Sequence, residues 1–450
     1  MTSLEQFAKF VVGATPPGLA RDRAAAAFLD TVGVSLAGAL EPASRAVQRV
    51  VASHSGGPCV VWGTDLQTPA PEAALANGTA AHALDFDDMC FVSLAHPSAP
   101  LVPAAMAAAE SVGASGAAIL DAYIVGFEIE ARLGAALNPR HYRRGWHCTS
   151  TLGTIGAAAA ASRLAGLDVA RTRHALAIAA SSASGLKENF GTMVKPLHAG
   201  LAARNGVLAA ELAAAGIEGS PQAIDGPQGF LHAFDSERSS IADVVADLGH
   251  RWEIVETGIT VKLYPSCAGT HPTLDVVLDL RRRETLLADD IEGIVIDVDA
   301  MTPTVLLYDK PSSGLEGKFS MPFCVAAAIV YGRVGVETFA LDRLSDPAVL
   351  DLMQRVTMRV DPAFDNGAPP LTQTRVTMTL RDGRVLTESA NGARGYPANP
   401  ASAAELDAKF LGCAMGAISR EAAARALSSL RDLTNVSDIR RLSTLLSRND

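Results

Sequence analysis

Four ionisable side chains in this chain share one local setting. His96 precedes Pro97-Ser98, His147 precedes Thr149-Ser150, Lys195 precedes Pro196 and His271 precedes Pro272. Pro and Ser/Thr are favoured where a helix begins, so each of the four stands at a predicted helix start. Free backbone N–H groups and the positive end of the helix dipole gather there. Cationic side chains beside several such starts describe an anion site if the helices converge, and imidazole adds a group that exchanges protons near neutrality. A single histidine before a helix is ordinarily a cap or a surface residue; four residues in the same setting point to a shared purpose. The cluster Asp85-Phe86-Asp87-Asp88 lies about ten residues before His96 and reads in two ways. Its carboxylates could bind a metal or orient a histidine for proton transfer, or they could line a solvated loop. Tyr142, Arg143 and Arg144 lead into His147 and could hold carboxylates, although an exposed arginine pair commonly does nothing specific.

A second stretch, Lys262-Leu263-Tyr264-Pro265-Ser266-Cys267, runs toward His271. Cys267 and His271 are four apart, a spacing that a thiol nucleophile and its base could use. A small buried cysteine is the commoner reading, and no wider hydrolase motif accompanies the pair. The sequence has no Cys-x-x-Cys, no His-Glu-x-x-His, no Gly-x-Gly-x-x-Gly after a strand and no phosphate loop. The expected chemistry therefore uses side chains alone, with neither metal nor organic cofactor.

The elements that must position these residues follow from composition. With 450 residues, 48% hydrophobic and 19% charged, the chain can build a sizeable core. Up to about residue 255, Ala-rich segments recur between Pro, Gly and Asn breaks, at 22–38, 70–84, 99–112 and 116–136, and read as short packed helices. After Pro196, the residues Leu197, Leu201, Leu208 and Leu212 recur at helical spacing and Gly216 supplies a stop. From about 256 the β-branched runs 258–263, 291–298, 356–360 and 375–380 predict strands. Arg381-Asp382-Gly383-Arg384 predicts a hairpin turn into 385–388. Helices are expected at 272–283 and 322–331, and the tail from 402 returns to helix. The predicted organisation is an all-helical domain, 1–255 plus 402–450, with an inserted α/β domain, 256–401. A formal charge of −10 disfavours nucleic acid as the default partner. Six cysteines without close pairing and no predicted membrane span or leader lead us to expect a cytoplasmic protein.

Six strings in order along the chain carry a resemblance: AHALDFDD (81–88), HPSAPLVPA (96–104), GWHCTSTLGTIGAA (145–158), GTMVKPLHAGLAARNG (191–206), KLYPSCAGTHP (262–272) and GLEGKFSMPF (314–323). Together they resemble the MmgE/PrpD family, which contains 2-methylcitrate dehydratase, cis-aconitate decarboxylase and iminodisuccinate epimerase. The resemblance implies an inserted domain of chorismate-mutase-like topology, a homodimer, and an active site between the two domains. It places Asp85, His96, His147, Lys195 and Lys262 in catalytic positions, with Tyr142, Arg144, Cys267, His271 and Met89 as candidate substrate contacts. Two positions depart from the decarboxylase pattern: Met89 stands where decarboxylases have Thr, and Cys267 where they have His. One extra residue separates Asp85 from His96. The cysteine and the GWH-x-TSTLG segment look more like the epimerase.

The family's shared chemical problem is the removal of a proton from carbon α to a carboxylate, a very weak acid because its anion places a second negative charge on the carboxylate. Without a metal, that charge must be met by preorganised cations and N–H donors. Lys195, Lys262 and the helix starts supply these, His96 or His147 moves the proton, and Asp85 orients or polarises a histidine. The expected function is a dehydratase-type lyase on a small di- or tricarboxylate. An epimerase is the close alternative; a decarboxylase and a catalytically silent binding protein rank behind it.

Overall fold

The computed structural model describes every residue except Met1, Ser55, Asp235, Glu237, Ser239, Asn449 and Asp450. It divides into two compact units. The first comprises Met1–Asn189, Met193–Ile259 and Ser402–Asp450; the second comprises Phe190–Thr192 and Thr260–Ala401.

The first unit is helical, and its centre is built from small residues. The helices Ala70–His82, Ser98–Val112, Gly116–Leu137, Cys148–Leu164 and Val194–Ala214 pack on one another. In the Cys148–Leu164 helix every residue from Cys148 to Ser162 is buried, which the Ala, Gly and Thr side chains make possible by letting the backbones approach. Two glycines show how close. A Cβ at Gly200 would stand 2.2 Å from Thr79 Oγ1 and 2.4 Å from the Leu75 carbonyl, and one at Gly206 would stand 2.4 Å from Ala157 Cβ. Any larger residue at Gly200 would push the Val194 helix off the Ala70 helix. The leucine spacing after Pro196 does mark a helix, but Leu197, Leu201, Leu208 and Leu212 are only partly buried. The buried side consists of Ala199, Ala202, Ala203, Gly206, Ala209, Ala210 and Ala213. Leu197 and Leu201 instead close a smaller cluster around Val51, Val61, Leu75 and Ala76. Near the chain's end, the Ala403–Ala414 helix packs on Gly18–Gly38, where a Cβ at Gly33 would meet the Phe410 ring at 3.0 Å. Among the described residues, no single helix is long and apolar enough to cross a membrane.

The second unit carries a mixed four-stranded sheet in the order Val356–Val360, Ile291–Val298, Gln373–Leu380, Val385–Asn391. The first pair is parallel and the other two antiparallel. Burial alternates strictly along Gln373–Leu380, so Thr374, Val376, Met378 and Leu380 face inward. That strand packs with the His271–Glu284 helix, and Thr273 Oγ1 lies 2.9 Å from Thr374 Oγ1. Gly383, at φ +88°, makes the hairpin turn, and its N–H donates to the Leu380 carbonyl at 3.0 Å. The predicted strand at 258–263 does not form. Gly258 turns the chain at φ +75°, and Val261 makes a lone backbone bond to the Gly395 carbonyl at 2.9 Å. With no neighbouring strand to complete a ladder, β-branched composition alone does not make a strand.

Candidate active site

Three helix starts and one helix end meet in the first unit. His82 is the last residue of the Ala70 helix, and the following loop carries Asp85, Asp87 and Asp88. His96 stands two residues before the Ser98 helix, and His147 is the N-cap of the Cys148 helix. Lys195 and His198 occupy the first turns of the Val194 helix, three apart and so on one face. Backbone bonds tie the starts together: the His96 N–H donates to Thr149 Oγ1 at 3.0 Å, and the His147 N–H to the Gly185 carbonyl at 3.0 Å. The loop is closed by Cys90 and Ala95, whose N–H groups donate to each other's carbonyls at 2.9 and 3.4 Å.

The side chains then converge. Lys195 Nζ donates to Asp85 Oδ1 at 2.6 Å, and His96 Nε2 lies 3.9 Å from the same oxygen. Asp85 adopts φ +52°, a left-handed conformation uncommon for a residue with a side chain. His82 Nδ1 is 2.7 Å from Asp87 Oδ2, and His96 Nδ1 is 3.3 Å from that oxygen. The His82 ring meets His96 edge-on with centroids 4.6 Å apart and stacks on His147 at 5.6 Å. His147 Nδ1 and His198 Nδ1 are 3.1 Å apart, so one carries the proton and the other accepts it. Of the residues expected at the site, Asp85, His96, His147 and Lys195 are brought together; Asp87, His82 and His198 complete the group. The sequence held signals for the last two. His82 falls three residues before Asp85 at a helix end, and His198 falls one turn after Lys195.

Burial sets the protonation states. His82 and His147 are pushed below the usual imidazole range by desolvation, and His198 down to about 4 by burial and then by Lys195. These imidazoles are neutral at pH 7 and able to accept a proton. Burial works against the Asp87 carboxylate, yet attraction and hydrogen bonds from His82 and His96 prevail and hold it well below the usual range. Asp88 behaves oppositely. Desolvation pushes it up to about 8, although Ser98 donates to it from its backbone N–H at 3.2 Å and from its hydroxyl. Ser98 Oγ is in turn 2.7 Å from the Tyr123 hydroxyl. Asp88 is thus a buried neutral acid fixing the start of the Ser98 helix.

One ligand atom from each of His82, Asp85, Asp87 and His96 lies within 4.8 Å of the others, a spacing that a cation could bridge. The Lys195 ammonium already brings positive charge to Asp85 at 2.6 Å.

The other expected residues have different surroundings. Met89 is buried in the loop directly after Asp88. The Tyr142 ring lies under Lys187, whose Nζ is 3.7 Å from the ring centroid. Arg144 is exposed and lines a recess with Arg140, Arg143 and Arg238. In the second unit Lys262 is fully buried. The Cys267 N–H donates to the Lys318 carbonyl at 3.0 Å, and Lys318 Nζ donates to the Pro265 carbonyl at 3.1 Å. His271 Nε2 lies 3.2 Å from the Ser266 carbonyl, an acceptor only, so that nitrogen carries its proton.

Comparison with known proteins adds independent findings. The family model of the MmgE/PrpD N-terminal domain matches residues 5–240, and that of the MmgE/PrpD C-terminal domain matches residues 264–434. Cis-aconitate decarboxylase from Mus musculus is 31% identical over 437 residues, covering 93% of this chain and 87% of that protein. The enzyme of the same name from Homo sapiens is 30% identical over 434 residues, covering 93% and 88%. A cis-aconitate decarboxylase-like protein, oryM, from Aspergillus oryzae is 29% identical over 449 residues, covering 94% and 92%.

Proposed function

Because this chain belongs to the MmgE/PrpD family and is an enzyme of it, we propose that it is a lyase that removes carbon dioxide from a small unsaturated tricarboxylate of the cis-aconitate type. This revises the expectation of a dehydratase. The relatives named above are decarboxylases or decarboxylase-like, and none of those three is a dehydratase.

The observation that carries the reading is the convergence of Lys195, His96 and His147, at three helix starts, with Asp85, in the loop after a helix end. Breaking the bond between carbon and the departing carboxylate leaves an electron pair that must be spread onto a remaining carboxylate. A fixed ammonium and helix N–H groups stabilise that charge in a buried site far better than water does. A histidine that has first taken up a proton and become imidazolium gives that proton to the carbon, forming the C–H bond and returning to neutral imidazole, so the products are carbon dioxide and an unsaturated dicarboxylate. Lys195 is assigned to charge stabilisation, and His96 or His147 to proton delivery. Lys262 keeps the role the family resemblance implies, as a second cation for the substrate.

A second reading rests on Met89 and Cys267, which stand where the decarboxylase pattern has Thr and His. It assigns dehydration of a hydroxy-polycarboxylate, or epimerisation, to the same groups. Incubation in D₂O with cis-aconitate, citrate, methylcitrate, malate and an aminodicarboxylate separates the readings. Release of carbon dioxide with one deuteron gained on carbon supports decarboxylation. Loss of water without carbon dioxide, exchange with the carbon skeleton retained, or binding without exchange each replaces it. We also propose a homodimer, which the family resemblance implies and sedimentation checks, and a cytoplasmic location, with which six free buried cysteines are consistent.

A further inference from the structure

Two aspartates two residues apart do different work in this site. Asp85 is engaged by the Lys195 ammonium, whereas Asp87 faces imidazoles. A single oxygen, Asp87 Oδ2, lies 2.7 Å from His82 Nδ1 and 3.3 Å from His96 Nδ1. Asp87 and His82 are completely buried on their side chains, and His96 is 13% exposed. An ionised carboxylate only accepts, so a neutral imidazole that turns Nδ1 toward it must carry its proton there. The opposite nitrogen, Nε2, is then bare. Among the described residues His82 Nε2 is buried without a hydrogen-bond partner, as a nitrogen kept for a transient proton would be. A buried carboxylate costs too much free energy to be retained without compensation; His82 Nδ1 is hydrogen-bonded to this one, and His96 Nδ1 stands at ion-pair distance from the same oxygen.

We propose that Asp87 is a positioning residue of the site: it holds His82 and His96 in the Nδ1–H tautomer, so that each presents Nε2 as a proton acceptor, and it makes His82 a member of the proton-handling group. The proposal rests on the assignment of this cluster as the active site. When Nε2 of either ring takes up a proton, the resulting imidazolium has N–H on both nitrogens and Asp87 stabilises its charge. Donating that proton to carbon restores the neutral ring. The stack of His82 on His147 and its edge contact with His96 place the three rings in one continuous group, so the tautomer of one constrains its neighbours.

The test uses the full chain with ¹⁵N-labelled histidine and long-range ¹H–¹⁵N correlation. His82 and His96 are assigned by the signals lost in His82→Gln and His96→Gln. The expected wild-type spectrum shows both rings protonated at Nδ1 with bare Nε2. In Asp87→Asn, the amide donates in place of accepting, and both rings should move toward the Nε2–H form. Turnover with cis-aconitate, or with whichever panel acid proves active, should then fall by roughly 10³–10⁴-fold with little change in KM, the size seen when an imidazole is left in the wrong tautomer. An Nε2–H tautomer at either ring in the wild type overturns the proposal, whatever the enzyme turns over. So does an Asp87→Asn enzyme whose tautomers shift while kcat is kept. If no panel acid is turned over while the wild-type rings are Nδ1–H and shift in Asp87→Asn, the proposed substrate fails and the tautomer assignment stands.

Discussion

Lys195 Nζ and Asp85 Oδ1 stand 2.6 Å apart with both side chains 5% exposed, an ion pair almost out of reach of solvent. The lysine belongs to the first turn of a long helix, and the aspartate to a left-handed residue of the loop after another. Neither would be stable there alone, because an unpaired buried charge costs several kcal/mol. The pair keeps an ammonium dehydrated and aimed, which is the state in which it can stabilise charge that appears during a reaction.

Replacement of Lys195 by Met should therefore abolish most turnover. Losing one such fixed donor typically costs roughly 3 kcal/mol of barrier, a hundredfold or more in rate. Asp85 left alone would also cost stability, about 3–5 kcal/mol. Lys195→Met with Asp85→Asn should regain much of that stability in denaturant titration without regaining turnover. Near wild-type kcat in Lys195→Met would make the lysine structural.

The contribution of Asp88 to stability should fall as pH rises from about 4 to about 8. Its folded pKa is pushed up to about 8, above the unfolded value of about 3.9. A raised folded pKa gives stability that is full below the unfolded value and lost as pH rises through the folded one. Asp88→Asn keeps an acceptor for the Ser98 N–H and removes the titration. The slope of melting temperature from pH 6 to 9 should be more negative for the wild type than for the variant. Equal slopes would mean that Asp88 is not held neutral.

The helix starts at His96, His147 and Lys195 were legible because Pro, Ser and Thr punctuate an Ala-rich sequence, and each functional side chain sits at its punctuation mark. His82 and His198 were not singled out, although His82 falls three residues before Asp85 and His198 one turn after Lys195. Their role depends on which helix faces meet, and that is set by glycine contacts such as Gly200 against Thr79. The leucine spacing marked the Val194 helix but not its buried side, because close packing draws the small residues inward. In the second unit, the run 375–380 was read as a strand from its β-branched residues, and the structure has it within Gln373–Leu380. The run 258–263 shares that composition and forms no strand, because pairing is decided by a neighbour that sequence order does not reveal.

Cys267→Ser should retain most activity. The cysteine is buried, and its N–H donates to the Lys318 carbonyl, so the residue is built into the backbone frame that Pro265 and Lys318 share. His271, the base that a thiol mechanism would need, holds Nε2–H on the Ser266 carbonyl at 3.2 Å, so only Nδ1 could take a proton from the thiol. Kinetics of the purified variant are the check. A loss to below about a thousandth of wild type, with a covalent intermediate trapped on the native thiol, would replace proton transfer to carbon by nucleophilic catalysis.

Treatment with EDTA should leave turnover unchanged. His82, Asp85, Asp87 and His96 have the spacing to share a cation, so the expectation rests on what is already positioned among them. A divalent ion drawn to Asp85 would sit beside the Lys195 ammonium, which is 2.6 Å from the same carboxylate, and the two positive charges would repel in a buried setting of low dielectric. Binding would require Lys195 to withdraw, and its withdrawal would undo the ion pair that aims it. It would also draw on His82 and His96, whose Nδ1 atoms are turned to Asp87. Metal analysis of the purified enzyme alongside the chelation assay tests this directly. Loss of activity on chelation, restored by one divalent ion at one equivalent per chain, would reassign the four side chains as ligands and Lys195 as a group displaced on loading.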